Sequence, residues 1–371
     1  MPSSISNFER RIPERPWPLL TAAVALVTLA AAVGWEIRCR AWGYAPTLNN
    51  TSDLWADRRN AVQPDSLVIV GDSRAWYDSD LNELERGLGK RPIQLAIPAS
   101  CACPVLTDLA DDPSFHGTVI CSVVPTLFFA PAGPPIENSL AAIERRKHQT
   151  VAQKWSSRLA MAAEEHVAFL KQEDLTLEML LKRLPIPNRQ GALVPPPLPP
   201  YFQWVDRERR AWMFELAAQP GPLQDRIKYG WLKLFTPRPP PTYVPREAFL
   251  KGVGLAIQKR FADAAAAVGK IRARGGKVVF VRFPMSGGLK ELEDRTTPRH
   301  GPWDHLLQVT GAPGIYFEDY PELVFQCPEW SHLSGPDSVE FTRRLVPHLK
   351  AALDGIGKAP ASEPTAAAKS I

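Results

Sequence analysis

Residues 67–77 read Leu-Val-Ile-Val-Gly-Asp-Ser-Arg-Ala-Trp-Tyr, a β-branched run that stops at Gly71-Asp72-Ser73. The Ser73 hydroxyl is thereby expected at the carboxyl end of a strand, the edge where open α/β sheets do their chemistry. Far downstream, Glu329-Trp330-Ser331-His332 supplies a carboxylate and an imidazole three residues apart. An alcohol is a weak nucleophile at neutral pH and needs a base, which in turn needs a third group to orient it. An imidazole can take a serine's proton and hand it to a leaving group, which makes His332 the candidate base, and Glu329 can hold the other ring nitrogen. Ser73, Glu329 and His332 are therefore the parts of a serine acyl-transfer centre, with Asp337 and Glu322 as fallback carboxylates. The bland reading of Gly-Asp-Ser alone is a strand-to-helix turn with Ser73 or Asp78 as a cap. His116, His148, His166, His300, His305 and His348 fall in loop, helix-surface or core-edge contexts.

These groups need a sheet to bring them together. After the strand at 67–71, Leu81, Leu84 and Leu88 share a helical face. Residues 92–97 and 118–124 read as second and third strands, with a short Thr107–Ala110 helix between them. Phe249, Val253, Ile257, Phe261, Ala265, Val268 and Ile271 recur at helical spacing, and Gly275-Gly276 ends that helix before a fourth strand at 277–283. A weaker run at 314–318 gives a fifth strand, and Asp337–Leu353 a closing helix. Strands alternating with helices predict a parallel sheet covered on both faces, with Ser73 and His332 on one edge.

Gly71-Asp72-Ser73 with a late acidic-x-x-His pattern resembles the SGNH/GDSL hydrolase family, over about residues 60–130 and 246–355. The resemblance implies a flavodoxin-like three-layer α/β/α sandwich of about five parallel strands, and an acyl-serine intermediate. It also implies an oxyanion hole from the Ser73 amide, a glycine after the second strand and an asparagine after the third. This chain departs from the pattern. Glu329 stands where the family usually has aspartate, and the second-strand loop Ile97-Pro98-Ala99-Ser100-Cys101-Ala102 has no glycine, leaving the Ala99 or Ser100 amide as donor. Pro125-Thr126-Leu127-Phe128-Phe129 has no asparagine, and Asn138 and Asn188 fall in the insertion. Asp72, Arg74 and Arg282 are expected to line the site. The two arginines offer fixed positive charge to an anion, with a surface ion pair as the bland role of either; for Arg282, flanked by apolar neighbours in a strand, a functional or buried-pair role is expected.

Residues 17–35 carry no charge and as a helix rise about 28 Å, close to the thickness of a bilayer's hydrocarbon core. Trp17 and Trp35 stand at the two ends, where indoles favour the headgroup boundary, and the run exceeds the apolar core of a signal peptide. The expected layout is a segment 1–16 inside the cytoplasm, an anchor at 17–35, a linker at 36–60 and the first part of the α/β domain at 61–134. A helical and proline-rich insertion follows at 135–245, then the second part of the domain at 246–354 and a disordered tail at 355–371. The insertion holds a helical stretch at Lys154–Leu184 and proline clusters at 195–200 and 237–241. The globular part then lies on the periplasmic or extracellular side of a single-pass inner membrane protein.

A net charge of +5 over 371 residues, with no zinc-finger spacing or arginine-rich stripe, argues against nucleic acid as a partner. No metal or cofactor is expected, since Cys101-x-Cys103 is too close for a zinc half-site. Cys39, Cys101, Cys103, Cys121 and Cys327 are five: either Cys101 or Cys103 bridges to Cys121 or Cys327, or all are buried thiols. The expected function is a membrane-anchored serine esterase or O-acyltransferase. Its substrate would be an acyl, above all acetyl, ester of envelope polysaccharide or lipid, with the bilayer as second partner through 17–35. The alternative is a catalytically silent relative that binds glycan or an assembly partner.

Overall fold

The β-branched runs form strands: Leu67–Val70 (β1), Ile93–Gln94 (β2) and Thr118–Ser122 (β3) before the insertion. A short antiparallel hairpin, Gln203–Val205 (β4) with Ala211–Met213 (β5), lies within it, and Lys277–Arg282 (β6) and Gly314–Tyr316 (β7) follow. The computed structural model describes residues 17–182, 184, 199, 202–237 and 244–356. The N-terminal segment 1–16, Asn188, most of both proline clusters and the tail from residue 357 lie outside the described residues.

The chain is an α/β protein whose five-stranded parallel sheet has the order β2-β1-β3-β6-β7 and is flanked by helices. That is the flavodoxin-like order, in which the chain first steps outward from β1 to β2 and then reverses past β1 to β3. Right-handed crossovers place the helices of the first step on one face and those of the later steps on the other. The contacts follow this rule. The helices Ser73–Asp78 and Leu81–Leu88 pack against the closing helix Gly335–Gly355, whereas Cys103–Ala110 packs against Arg246–Ala273, which also meets Pro302–Thr310. With both faces covered, β1 and residues Val119–Ser122 of β3 are buried throughout, and in β6 only Lys277 is partly open.

Register ties the strands in line, with Val68 opposite both Ile93 and Val119, Val119 opposite Val278, and Val281 opposite Ile315. The second strand is shorter than its sequence suggests, because its chain soon turns toward the site. Leu95 and Ile97 nevertheless still donate to the Ile69 and Gly71 carbonyls at 2.8 and 2.9 Å. The fifth run likewise ends early, in a 3₁₀ turn at Phe317–Asp319.

The N-terminal apolar helix runs Trp17–Ala41, six residues past the uncharged run, and is exposed along almost its whole length. It is long and apolar enough to cross a membrane. Its extension survives three charged residues because Arg40 pairs with Glu36 one turn earlier, at 2.6 Å. Part of the expected linker is a helix, Ser52–Asn60, capped by Thr51. The helical stretch expected at 154–184 is broken into Val151–Glu164, Gln172–Leu175 and Leu177–Lys182, joined through a 3₁₀ turn at Ala168–Leu170. All five cysteines are buried free thiols.

Candidate active site

The turn after β1 is built by its own residues. Asp72 caps the Ser73–Asp78 helix by accepting from the Arg74 amide at 2.8 Å, and its second oxygen accepts from the Ser122 hydroxyl at 2.9 Å. Gly71 has to be small, since a Cβ there would lie 2.5 Å from the Ser122 Cβ. Ser73 is thus the first residue of a helix at the carboxyl end of β1, partly open to solvent. Burial pushes the Asp72 carboxyl above its usual range, an effect that Arg74 and the hydrogen bonds only partly offset.

The loop after β7 reaches the same edge. The Glu329 Oε1 accepts from His332 Nδ1 at 2.9 Å, from the His332 amide at 2.5 Å and from the Ser331 amide at 3.3 Å. Trp330, between them, takes a left-handed backbone at φ 80°, which wraps the chain around the carboxylate. Two further contacts hold the loop. Ser286 bonds the Cys327 amide and carbonyl, each at 3.0 Å, and Gly287 leaves room for the Trp330 indole, whose Nε1 would sit 2.3 Å from a Cβ at that position. Glu329 and His332 are both 0% exposed.

The two segments meet along the Ser73–Asp78 helix. Leu333 donates its amide to Asp78 Oδ1 at 2.8 Å, and Arg74 Nε reaches the Ser331 hydroxyl at 3.4 Å. The His332 ring lies 4.4 Å, centroid to centroid, from the Tyr77 ring. Tyr77 is four residues on from Ser73, and side chains so spaced are neighbours about 5–6 Å apart between Cβ atoms on one helix face. The imidazole therefore sits near Ser73's side of the helix but is not bonded to it. His332 Nε2 is buried without a hydrogen-bond partner, and no hydrogen bond among the described residues involves the Ser73 hydroxyl.

Three residues that sequence reasoning did not find complete this centre. Trp231, from the insertion's helix Pro222–Phe235, donates its indole N–H to Glu329 Oε2. Its ring and that of Phe202 lie 5.5 and 5.8 Å from the His332 ring. Tyr77 donates to Gln203 on β4 at 2.7 Å, and Trp76 donates to the Arg209 carbonyl at 2.7 Å. The insertion thus covers the imidazole and grips the carboxylate that orients it. Only the spacing of Tyr77 from Ser73 offered a signal in the sequence.

Arg74 and Arg282 do not present free charge to a ligand. Both are buried against Glu293, Arg74 Nη2 at 2.9 Å from Oε2 and Arg282 Nη2 on Oε1. Arg282 also donates to the Val123 carbonyl at 3.1 Å. Burial alone would raise the Glu293 carboxyl, but Arg282 and Arg74 outweigh it and hold the group below the usual range. Two cations around one carboxylate make a buried ion-pair cluster under the site: Arg282 takes the buried-pair role expected for it beside a functional one, and the free charge for an anion expected of the two arginines is taken up by Glu293.

The remaining expected donors stand on the same edge. The Ile97 bond to Gly71 brings the 97–100 loop beside the turn of Ser73, with Ala99 left-handed at φ 53° and the Ser100 hydroxyl bonded to the Pro98 carbonyl at 3.0 Å. Among the described residues, the amides of Ala99 and Ser100 take no part in backbone hydrogen bonds. Past β3, where the resemblance implies asparagine, Thr126 has a buried hydroxyl without a partner. Asp337 is occupied in capping, by contact with Ser334, and Glu322 pairs with His348 on the surface. Among the described residues no cluster of His, Cys, Asp or Glu could hold a metal ion. A cavity of about 330 Å³ adjoins the loop between Lys228, Ser286 and Trp330 but includes neither Ser73 nor His332.

Compared with family models, curated proteins and solved structures, the chain matches none.

Proposed function

We propose that the chain is a membrane-anchored serine esterase or O-acyltransferase of the SGNH/GDSL type. In this reading Ser73 Oγ attacks an acyl ester while His332 Nε2 takes its proton. The tetrahedral intermediate collapses to acyl-Ser73 as that proton passes to the departing alcohol. Water or an acceptor hydroxyl then repeats the sequence in reverse, giving a carboxylic acid or a new ester. Glu329 holds His332 in the tautomer with Nδ1 protonated, leaving Nε2 free to act as base. The amides of Ser73, Ala99 and Ser100 are the donors available to the developing oxyanion. Acyl, above all acetyl, groups on envelope polysaccharide or lipid are the proposed substrates, because the N-terminal helix as an anchor keeps the domain at the outer face of the inner membrane.

The observation that carries the reading is the hydrogen-bonded Glu329–His332 pair packed on the helix that Ser73 begins. The test is hydrolysis of an acetyl ester by wild type and His332→Ala. Loss of turnover in a folded variant supports it, and wild-type turnover removes His332 from the mechanism.

The closed imidazole favours a second reading. With Nε2 enclosed by Tyr77, Phe202 and Trp231 and unbonded to Ser73, the same fold suits a silent protein that binds glycan or an assembly partner at this edge.

A further inference from the structure

The helix Val151–Glu164 is inside out. Its inward positions are mostly polar: Glu164 is buried and accepts from the Asn49 amide at 2.9 Å, Gln153 and Ser157 are partly covered, and Met161 is the apolar residue that packs on the core. They line a cavity of about 540 Å³ that also contains Asp53 and Arg145. At 100° per residue, Val151, Trp155 and Leu159 fall on the opposite side in one stripe. They are 72%, 59% and 70% exposed. A helix surrounded by water places such a stripe inward, so the apolar side of this one calls for an apolar medium outside the protein.

The position of the helix in the chain says which medium. Two residues past its end, the His166 carbonyl accepts from Arg40 at 3.1 Å. The Ala168 and Phe169 amides donate to Glu36 at 3.0 and 3.1 Å. Glu36 and Arg40 belong to the last turns of the N-terminal apolar helix, so the segment is tied to the foot of that helix. Asp174 is bonded to Tyr44, just past the same foot, and leads into a second exposed pair, Leu177 and Leu181. Lys154 and Arg158 flank the Trp155 stripe, with the Arg158 guanidinium 5.4 Å from the indole. An indole beside cations is the composition of a headgroup boundary.

We propose that Val151, Trp155 and Leu159 lie in the headgroup boundary of the bilayer that Trp17–Ala41 enters, with Lys154 and Arg158 on anionic headgroups. The inference rests on reading that helix as a retained anchor. It gives the insertion a second contact with the membrane and fixes how the domain sits above it.

The native thiols are all buried, so single cysteines placed on the surface can be labelled selectively. The full chain, reconstituted alone in nanodiscs of phosphatidylethanolamine and phosphatidylglycerol with a brominated-lipid fraction, is labelled with an environment-sensitive dye at Leu159→Cys, Leu26→Cys or Ser114→Cys. Ser114 lies before β3, at the amino edge of the sheet, and supplies the unquenched reference. Quenching of at least twofold at both Leu159 and Leu26 is expected. Quenching at Leu26 alone overturns the docking and keeps the anchor, and is what a protein partner for the stripe would give. Quenching at Leu159 alone retires the anchor and overturns the proposal as stated, leaving a surface that binds lipid without a spanning helix, and quenching at neither overturns both.

Discussion

Trp231→Phe isolates what the insertion does for the proposed chemistry. The substitution keeps an aromatic ring beside His332 and removes one indole N–H from Glu329 Oε2, which has no other hydrogen-bond partner among the described residues. Oε1 keeps its three donors, so the carboxylate stays attached to the loop but is free to rotate about it. A buried hydrogen bond to a charged group contributes about 1.5–3 kcal/mol. If that whole amount acts through the orientation of His332, the acylation rate falls by about 10-fold to about 150-fold. The assay is the rate of Ser73 modification by a fluorophosphonate across pH 5–9, alongside denaturant unfolding of the same variant in detergent. The account expects both a slower reaction and lower stability. Unchanged labelling rates in a destabilised variant would refute the positioning argument and leave Trp231 as packing alone.

Two further substitutions test the charges under the site. Glu293→Gln leaves Arg74 and Arg282 buried without an anion, and breaking a buried pair costs about 3–5 kcal/mol, so a marked fall in the unfolding midpoint is expected and a change below about 1 kcal/mol would contradict it. The wild-type contribution of Glu293, whose folded value is depressed, is complete above its unfolded value near 4.5 and is lost as pH falls through the folded one. Asp78 has the opposite sign. Burial raises it well above its usual range, the Leu333 amide opposing and Glu329 adding to the rise. The folded chain then holds a proton that the unfolded chain has released, so this group's contribution to stability declines as pH rises above about 4. Asp78→Asn, which retains the acceptor for Leu333, removes that decline. Unfolding of wild type and variant at pH 5, 7 and 9 should show a stability difference that moves in the variant's favour with pH, and a difference independent of pH would contradict the assignment.

The strands of the sheet were legible because each is written locally, as a β-branched run, a glycine turn or an apolar helical stripe, whereas their carboxyl ends were not, the runs at 92–97 and 314–318 pairing only over Ile93–Gln94 and Gly314–Tyr316. The alternation gave a parallel sheet covered on both faces but no strand order; the flavodoxin-like arrangement was only what the resemblance implied, and the order β2-β1-β3-β6-β7 is read from the fold. Glu329 and His332 were visible locally, being three residues apart in one loop. The supports of the site were hidden because they come from distant segments with ordinary local patterns. Glu293 sits in Gly-Gly-Leu-Lys-Glu-Leu-Glu-Asp-Arg-Thr, where nothing separates a buried acid from the exposed ones beside it. Trp231 and Phe202 lie in the proline-rich insertion, which has no periodicity that points toward the sheet. The exposed stripe of Val151, Trp155 and Leu159 has ordinary amphipathic spacing, and only the fold shows which side faces out.

The central claim is that Ser73 is a nucleophile served by His332. Fluorophosphonate labelling of the full chain in membranes, with the modified residue located by peptide mass, tests it directly. The account predicts one adduct, on Ser73, absent in Ser73→Ala and strongly reduced in His332→Ala. An unmodified Ser73 in the folded wild-type protein would contradict it and favour the binding role.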